Sequence, residues 1–246
     1  MKAKSDLLAE NHRQSATAKP AGKPARRASD AAPGTSAERK RRATARMPAA
    51  ERRAQIQAKA FEFFSEYGLT AQTRALADAC GVSQRLLYSA FPNKSALINA
   101  VYEAEIAGPF KAIWFVQLRD RSVPLAERLN GFYREYYETI LTRRWLRLFL
   151  YASLAEVEMA PTYIAAIIRT LMSTIVEEAA FDAGLEPPQD PALKQELGWV
   201  LHGAVSHLAI RRHVYRDTSP LAVEKVIPIH VNAFLAAVPA LLGPAR

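Results

Sequence analysis

Residues Thr73 to Lys94 read TRALADACGVSQRLLYSAFPNK. The spacing predicts two short helices joined by a tight turn, the helix-turn-helix pattern. Leu76, Ala77 and Cys80 give the first helix an apolar side, and Ala77 is small enough for a second helix to cross close against it. Gly81 stops that helix, because the C′ position calls for a left-handed backbone that costs other residues strain. Val82 is placed to plug the corner, and Ser83 to cap the next helix by accepting from its orphan N–H groups. Leu86 and Leu87 are expected to anchor the second helix inward. Gln84, Arg85, Tyr88 and Ser89 then face outward near its start, the end that enters a major groove. Arginine matches guanine O6/N7 and glutamine matches adenine N6/N7, so Arg85 and Gln84 are the candidates for reading bases. Taken singly, Leu76, Ala77, Leu87 and Phe91 are ordinary core residues; the order of small residue, glycine, plug and cap at fixed offsets is what carries specificity.

Outward from this stretch, a helix is predicted from Pro48 to Tyr67, with Ile56, Ala60, Phe63, Phe64 and Tyr67 recurring at offsets of three and four on one face. Gly68 ends it. Arg52 or Arg53 is available to a phosphate, and so is Arg74 beyond the loop, where Gln72 or Thr73 stands nearest the helix cap. On the far side, Asn93 offers a cap and Lys94 the first turn of a helix running to about Ile106. A helix start beside a lysine favours an anion, since unpaired N–H groups and the positive dipole end both point at it.

Ile56, Ala60, Phe63, Phe64, Tyr67 and Gly68, followed by Gly81-Val82-Ser83, Leu87-Tyr88, Phe91, Lys94 and Leu97, resemble the TetR family of one-component transcriptional regulators. The resemblance covers Arg52 to Tyr102. It implies that Tyr88 and Lys94 grip the DNA backbone; Ser83, Ser89 and Arg74 are the further candidates for DNA contact from their place in the motif. The chain departs from the commonest family pattern in having a loop one residue shorter before Thr73, Gln72 where threonine is usual, and Leu86 and Ala90 where threonine and histidine are frequent. Two polar contacts are thereby absent.

The net charge of +9 lies almost entirely in residues 1–48, which hold +8 of it. This tail is rich in Ala, Ser, Lys, Arg and Pro, lacks a periodic apolar face and is expected to be disordered. Its run Arg39-Lys40-Arg41-Arg42 can lie along phosphates or enter a minor groove; equally, the tail is a solvated extension or belongs to a start assigned too far upstream. No secretory signal core is present. The division expected is a basic tail at 1–47, a helix-turn-helix domain at 48–106 and a helical body at 107–246, making the fold class all-α.

From Pro109 onward no convincing strand is predicted. Helices are expected over 110–119, 124–141, 144–156, 161–183, 191–213 and 220–242, with prolines 124, 161, 191 and 220 in their first turns. No apolar run reaches the length of a membrane span, so no membrane partner is expected and the location expected is cytoplasmic. Leu197, Val200, Leu201, Ala204, Val205, Leu208 and Ile210, and Val223, Val226, Ile227, Val231, Phe234, Leu235 and Val238, form wide apolar faces on the last two helices. The pattern alone is equally served by packing on the body's own core. The family resemblance implies that these helices, Leu197-Ile210 and Val223-Val238, pair with their copies in a homodimer, as a palindromic double-stranded operator requires.

The middle helices are dense in aromatic side chains. Phe132, Tyr136, Trp145, Phe149, Met172 and His202 are the candidates for lining a pocket, which suits an apolar or aromatic effector better than a charged one. The resemblance implies that such a small molecule alters the spacing of the DNA heads, most often releasing a repressor. Catalytic chemistry is missing: there is no phosphate loop and no nucleophile turn. The single cysteine, Cys80, excludes an internal disulfide. His202 and His207 are five apart and do not stack as a zinc pair, and Glu156/Glu158 and Glu177/Glu178 are too close in sequence to face one cleft. No cofactor, metal or catalytic residue is expected. The alternative reading is a helical protein-interaction module held to nucleic acid non-specifically by its basic tail.

Overall fold

Pro48, with a fixed φ and no N–H to lose, opens helix α1 (Ala49–Tyr67). In the computed structural model, residues 47–155 and 159–243 are described; the basic run at 39–42 and the Glu156/Glu158 pair lie outside them. Every regular element among the described residues is helical. After α1 come α2 (Thr73–Ala79), α3 (Gln84–Ala90) and α4 (Lys94–Val101), which continues as a π-helical turn, Tyr102–Ala107. The body follows as α5 (Ile113–Leu118), α6 (Leu125–Thr139), α7 (Arg143–Leu154), α8 (Met159–Asp182), α9 (Pro191–His213) and α10 (Val223–Leu242). A second π-helical stretch, Ile164–Ile168, interrupts α8.

Capping side chains fix most of these starts. Ser83 Oγ accepts from the Leu86 N–H at 3.2 Å, Asn93 Oδ1 from Ala96 at 2.8 Å, Thr142 Oγ1 from Trp145 at 3.3 Å and Asp190 Oδ1 from Ala192 at 2.9 Å. Gly81 takes φ of 69°, the left-handed turn that separates α2 from α3.

Three expectations are corrected. Tyr67 is exposed and lies against the Phe63 ring rather than in the core, since the last turn of α1 turns Phe64 and Ser65 inward instead. Leu86 is only half-buried; Leu87 alone is the inward anchor of α3. Pro220 opens no helix: α10 starts at Val223, and the intervening residues are held by Arg212, which donates to the carbonyls of Ser219 and Leu221.

The described residues cluster as one compact unit. Helix α1 packs on α2, α3 and α4 and also on α7. Its Ile56, Ala60 and Phe64 join Leu76, Leu87, Phe91 and Leu97 in the core that runs on into the body. Within the body, α8 and α9 approach so closely that a Cβ on Gly198 would stand 2.6 Å from Met172 Cβ, a spacing only glycine permits. Both α8 and α10 are long and apolar enough to cross a membrane by length and composition, contrary to the expectation from sequence. Half of the apolar window of α8 is buried against the body, but only 28% of that of α10, so α10 keeps an uncovered apolar face.

One buried ion cluster ties the α5–α6 connection to α8. Glu178, almost fully buried, accepts from Arg128 at 2.8 Å and from Arg121 at 2.9 and 3.1 Å. Burial alone would raise the Glu178 carboxyl; the hydrogen bonds from Arg121 and Arg128 outweigh it and hold the group below its ordinary value. Glu178→Gln should therefore destabilise the protein by about 3 kcal/mol, because Arg128 is left buried without its countercharge. A carboxyl whose folded pKa is depressed contributes stability that is complete above its unfolded pKa and is lost as pH falls through the folded one. Urea unfolding followed across the acidic range should show that loss in the native protein and a flatter profile in the variant.

Candidate nucleic-acid interface and ligand cavity

The outer face of α3 carries Gln84, Arg85, Tyr88 and Ser89, all exposed, with Arg74 exposed on α2 beside it. Gly81 and the Ser83 cap set the direction in which this face points. The hydroxyl of Ser83 is engaged by the Leu86 N–H, so its first task is to start the helix. Tyr88 OH lies 3.4 Å from Thr73 Oγ1, bringing two hydroxyls together at the junction of α2 and α3.

The basic residues divide. Lys94 Nζ donates to the Ala71 carbonyl at 2.7 Å and is half-buried, and that burial lowers its pKa. It braces the α1–α2 loop against the start of α4. Arg53, read from sequence as available to a phosphate, donates to the Ala90 carbonyl at the end of α3, its guanidinium 3.9 Å from the centre of the Phe91 ring. Arg52 donates to the Met47 carbonyl at 3.1 Å. Sequence reasoning missed Arg53 as a brace of α3, because a carbonyl 37 residues away is invisible to local spacing.

Helix α7 joins this head to the body. On one side Arg147 donates to the carbonyls of Ser65 at 2.6 Å and Glu66 at 3.0 Å, at the C-terminal end of α1. Arg143 pairs with the Glu66 carboxylate, holding it below its usual range through that hydrogen bond. On the other side Trp145, Leu146, Phe149 and Leu150 border a cavity of about 130 Å³. Trp145 stacks on Phe149 with centroids 4.7 Å apart and meets Tyr163 edge-on. Its indole N–H also donates at 3.3 Å to the Ile106 carbonyl, in the π-helical turn that ends α4.

Of the six residues expected to line a pocket, Tyr136, Trp145, Phe149 and His202 border this cavity. Phe132 and Met172 do not. Phe132 packs among Trp114, Tyr133 and Tyr136, and Met172 is consumed by the close approach of Gly198. Tyr163, Trp199 and Ser206 also border it, outside the set expected from sequence, and aliphatic side chains form the rest of the wall. Trp199 and Ser206 stand three before and four after His202, the offsets of a shared helix face, so that signal was present.

His202 is 3% exposed, and its Nδ1 finds no hydrogen-bond partner among the described residues. Burial lowers its pKa to about 4, which keeps the imidazole neutral near neutral pH. Tyr136 and Tyr163 place their hydroxyls 3.4 Å apart, and burial raises both pKa values. A larger surface cleft of about 620 Å³ includes Arg119, Arg169 and Glu177. Within it Arg119 donates to Thr174 and Lys194 donates to Glu177, and it opens widely to solvent. No grouping of histidine, cysteine and acidic side chains among the described residues has the arrangement of a metal site.

Among the described residues the chain is helical, and α2 and α3 form a helix-turn-helix that presents the start of a capped recognition helix. Residues 56–101 match the family model for bacterial regulatory proteins of the tetR family, and the helix-turn-helix segment belongs to that family, one of DNA-binding transcription regulators rather than enzymes. No curated protein matches the chain. Among solved structures, it is similar to a protein of Mesorhizobium loti MAFF303099, with TM-score 0.57 and 15% identity over 80% of this chain and 99% of that one. It is also similar to the TetR-family regulator PfmR of Thermus thermophilus, with TM-score 0.54 and 18% identity over 78% and 99% of the two chains. A TetR-family regulator of Streptomyces coelicolor matches with TM-score 0.53 and 18% identity over 79% and 84%. At these identities the likeness extends to the fold.

Because Lys94 holds the α1–α2 loop, Lys94→Ala should lower the unfolding free energy by about 0.5–1.5 kcal/mol in urea titrations, with no DNA present. A residue serving phosphate alone would leave that value unchanged.

Proposed function

We propose that the protein is a homodimeric transcriptional repressor that leaves a palindromic operator when a small apolar or aromatic effector enters the cavity. The observation that carries this reading is α7, which presents one face to the cavity and the other to the end of α1. The head is residues 48–106, and the body, 107–246, holds the effector and the dimer contact. Arg85 and Gln84 read bases; Arg74, Tyr88, Ser89 and Lys94 hold the backbone, with Ser83 presenting the helix start.

Dimerisation is supported by what α9 and α10 leave uncovered. Most of the apolar residues expected at a dimer contact, including Leu201, Val205, Ile227 and Val231, are buried in the chain's own core. Leu193, Val200, Ile229 and Leu241 remain exposed on the same two helices, and the small residues Ala233, Ala236 and Ala240 on α10 allow a partner helix to come close. Two heads related by a two-fold axis would meet successive major grooves about 34–36 Å apart. A cytoplasmic location follows from the task.

The effector acts only through its different affinities for the DNA-bound and released arrangements. Displacement of Trp145 by a ligand pulls on the Ile106 carbonyl and so on the end of α4, while α7 moves the end of α1 through Arg147. The π-helical turn at 102–107 suits this role, because its bonds can re-register to α-helical ones over a short shift.

Selection of bound sequences from a random duplex pool at about physiological ionic strength should return a palindrome, for the full chain and for a version beginning at Arg46. Arg85→Ala should then cost about 1–3 kcal/mol on the selected site and relax one base position, while binding to random duplex is little changed. Enrichment of no sequence would overturn the regulator reading.

A further inference from the structure

The wide cleft between the end of α5, the middle of α8 and the first turn of α9 is built of different chemistry from the aromatic cavity. Its volume, about 620 Å³, lies in the range of small-molecule pockets, roughly 300–1,000 Å³. Among the described residues no aromatic ring and no branched aliphatic side chain lines it. Its wall is made by guanidiniums, hydroxyls, an amide and a carboxylate, with Pro191 and Ala192 as the hydrocarbon residues. An apolar occupant gains little on such a wall, whereas a hydrophilic one exchanges bonds to water for bonds to protein.

Charge sets the sign of the occupant. The carboxylate in the cleft, Glu177, is answered by Lys194 at 2.9 Å. Neither Arg119 nor Arg169 has a carboxylate within ion-pair distance among the described residues, so the wall keeps unanswered positive charge. A guanidinium presents a planar fork that matches phosphate and carboxylate oxygens through paired bonds. Arg119 closes α5 and Arg169 lies on α8, so an anion between them bridges two elements.

Part of this geometry is set before any ligand arrives. Arg119 donates through Nη2 at 2.8 Å to Thr174 Oγ1, and Thr174 is 1% exposed, so a buried side chain anchors the guanidinium while using one of its five N–H donors. Gln195 donates to the Arg169 carbonyl at 2.8 Å and to Ser173 Oγ at 3.4 Å, fixing α9 against α8 across the cleft. Side chains held in advance lose little freedom on binding. The side chains of Arg169 and Thr170 are exposed and make no hydrogen bond among the described residues.

We infer that this cleft is a second ligand site, separate from the aromatic cavity, for a small hydroxylated dianion, a phosphate ester or a dicarboxylate. Arg119 and Arg169 hold the anionic groups, and Thr170, Ser173 and Gln195 hold the hydroxyls. The open mouth leaves the ligand partly hydrated, so selection rests on these bonds rather than on desolvation. Arg169 follows directly on Ile168, which borders the aromatic cavity, so the two sites meet along one stretch of α8.

Glycerol 3-phosphate, malate and glycerol are titrated calorimetrically into the full-length protein slightly above neutral pH, with ionic strength held constant by sodium chloride. At least one of the two dianions should bind once per chain, and glycerol should give no heat; the tighter of the dianions tells phosphate from carboxylate. Arg169→Gln and Arg119→Gln should each weaken that binding about tenfold or more, the loss expected for charge-assisted hydrogen bonds. Arg134→Gln, which removes one exposed charge from α6 outside the cleft, should leave it unchanged and so separates this site from diffuse attraction to a basic chain. Since the Arg169 side chain is unbonded, Arg169→Gln should also keep the urea stability of the native protein, and its effect on the ligand is then not one of folding. Absence of heat from both dianions, equal binding of glycerol, or affinity that survives both cleft substitutions would overturn the inference.

Discussion

The guanidinium of Arg147 rests on the last carbonyls of α1, and the position of the reading head relative to the body depends on it. A helix C-terminus leaves carbonyls without intrahelical partners, and a cation there is favoured by both hydrogen bonding and the dipole. The contact is reinforced by Arg143 on Glu66 and by the Arg147 bond to Tyr151 at 3.1 Å. These pairs are partly exposed, so each is individually modest and screened. Their strength is geometric: Arg143 and Arg147, one turn apart on one helix, bond to one helix end, and α7 cannot rotate without breaking both.

That constraint explains why α7 can serve two tasks. Its arginines lie on the side facing α1, and Trp145, Phe149 and Leu150 on the side facing the cavity. Trp145 adds a second link, since its indole N–H reaches the Ile106 carbonyl while its ring forms cavity wall. The two π-helical stretches fall at the two places a wall displacement would meet. Ile164 and Ile168 bring one of them to the cavity, and Ile106 brings the other to the end of α4.

The reading head was legible in the sequence because its determinants are local. Gly81 and the Ser83 and Asn93 caps act within three residues, and the structure places them at those offsets. Helix ends marked by Pro124 and Pro191 were legible for the same reason, whereas Pro220 misled because a proline is equally at home in the loop before a helix. The π-helical turns left no local mark, since an extra residue in a helical turn changes neither composition nor periodicity enough to be seen. Arg53 and Lys94 read as free cations because their acceptors, Ala90 and Ala71, are brought near only by the fold. The cavity was half legible: aromatic density pointed to α6 and α7, but whether a ring faces a void or a neighbour depends on how helices cross. Phe132 and Met172 were lost on that point, Met172 because Gly198 lets α9 settle against it.

Glu178 and His202 show two ways a helical body can bury a polar group. Glu178 is fully answered, by two arginines, one of which also donates elsewhere, and its charge survives burial. Such a cluster rigidifies the α5–α6 connection and leaves nothing to offer a ligand. His202 is buried as deeply, but burial has removed its charge and the fold has left Nδ1 unanswered. An unanswered buried nitrogen is held at a cost to the stability of the protein, where the answered carboxylate is not.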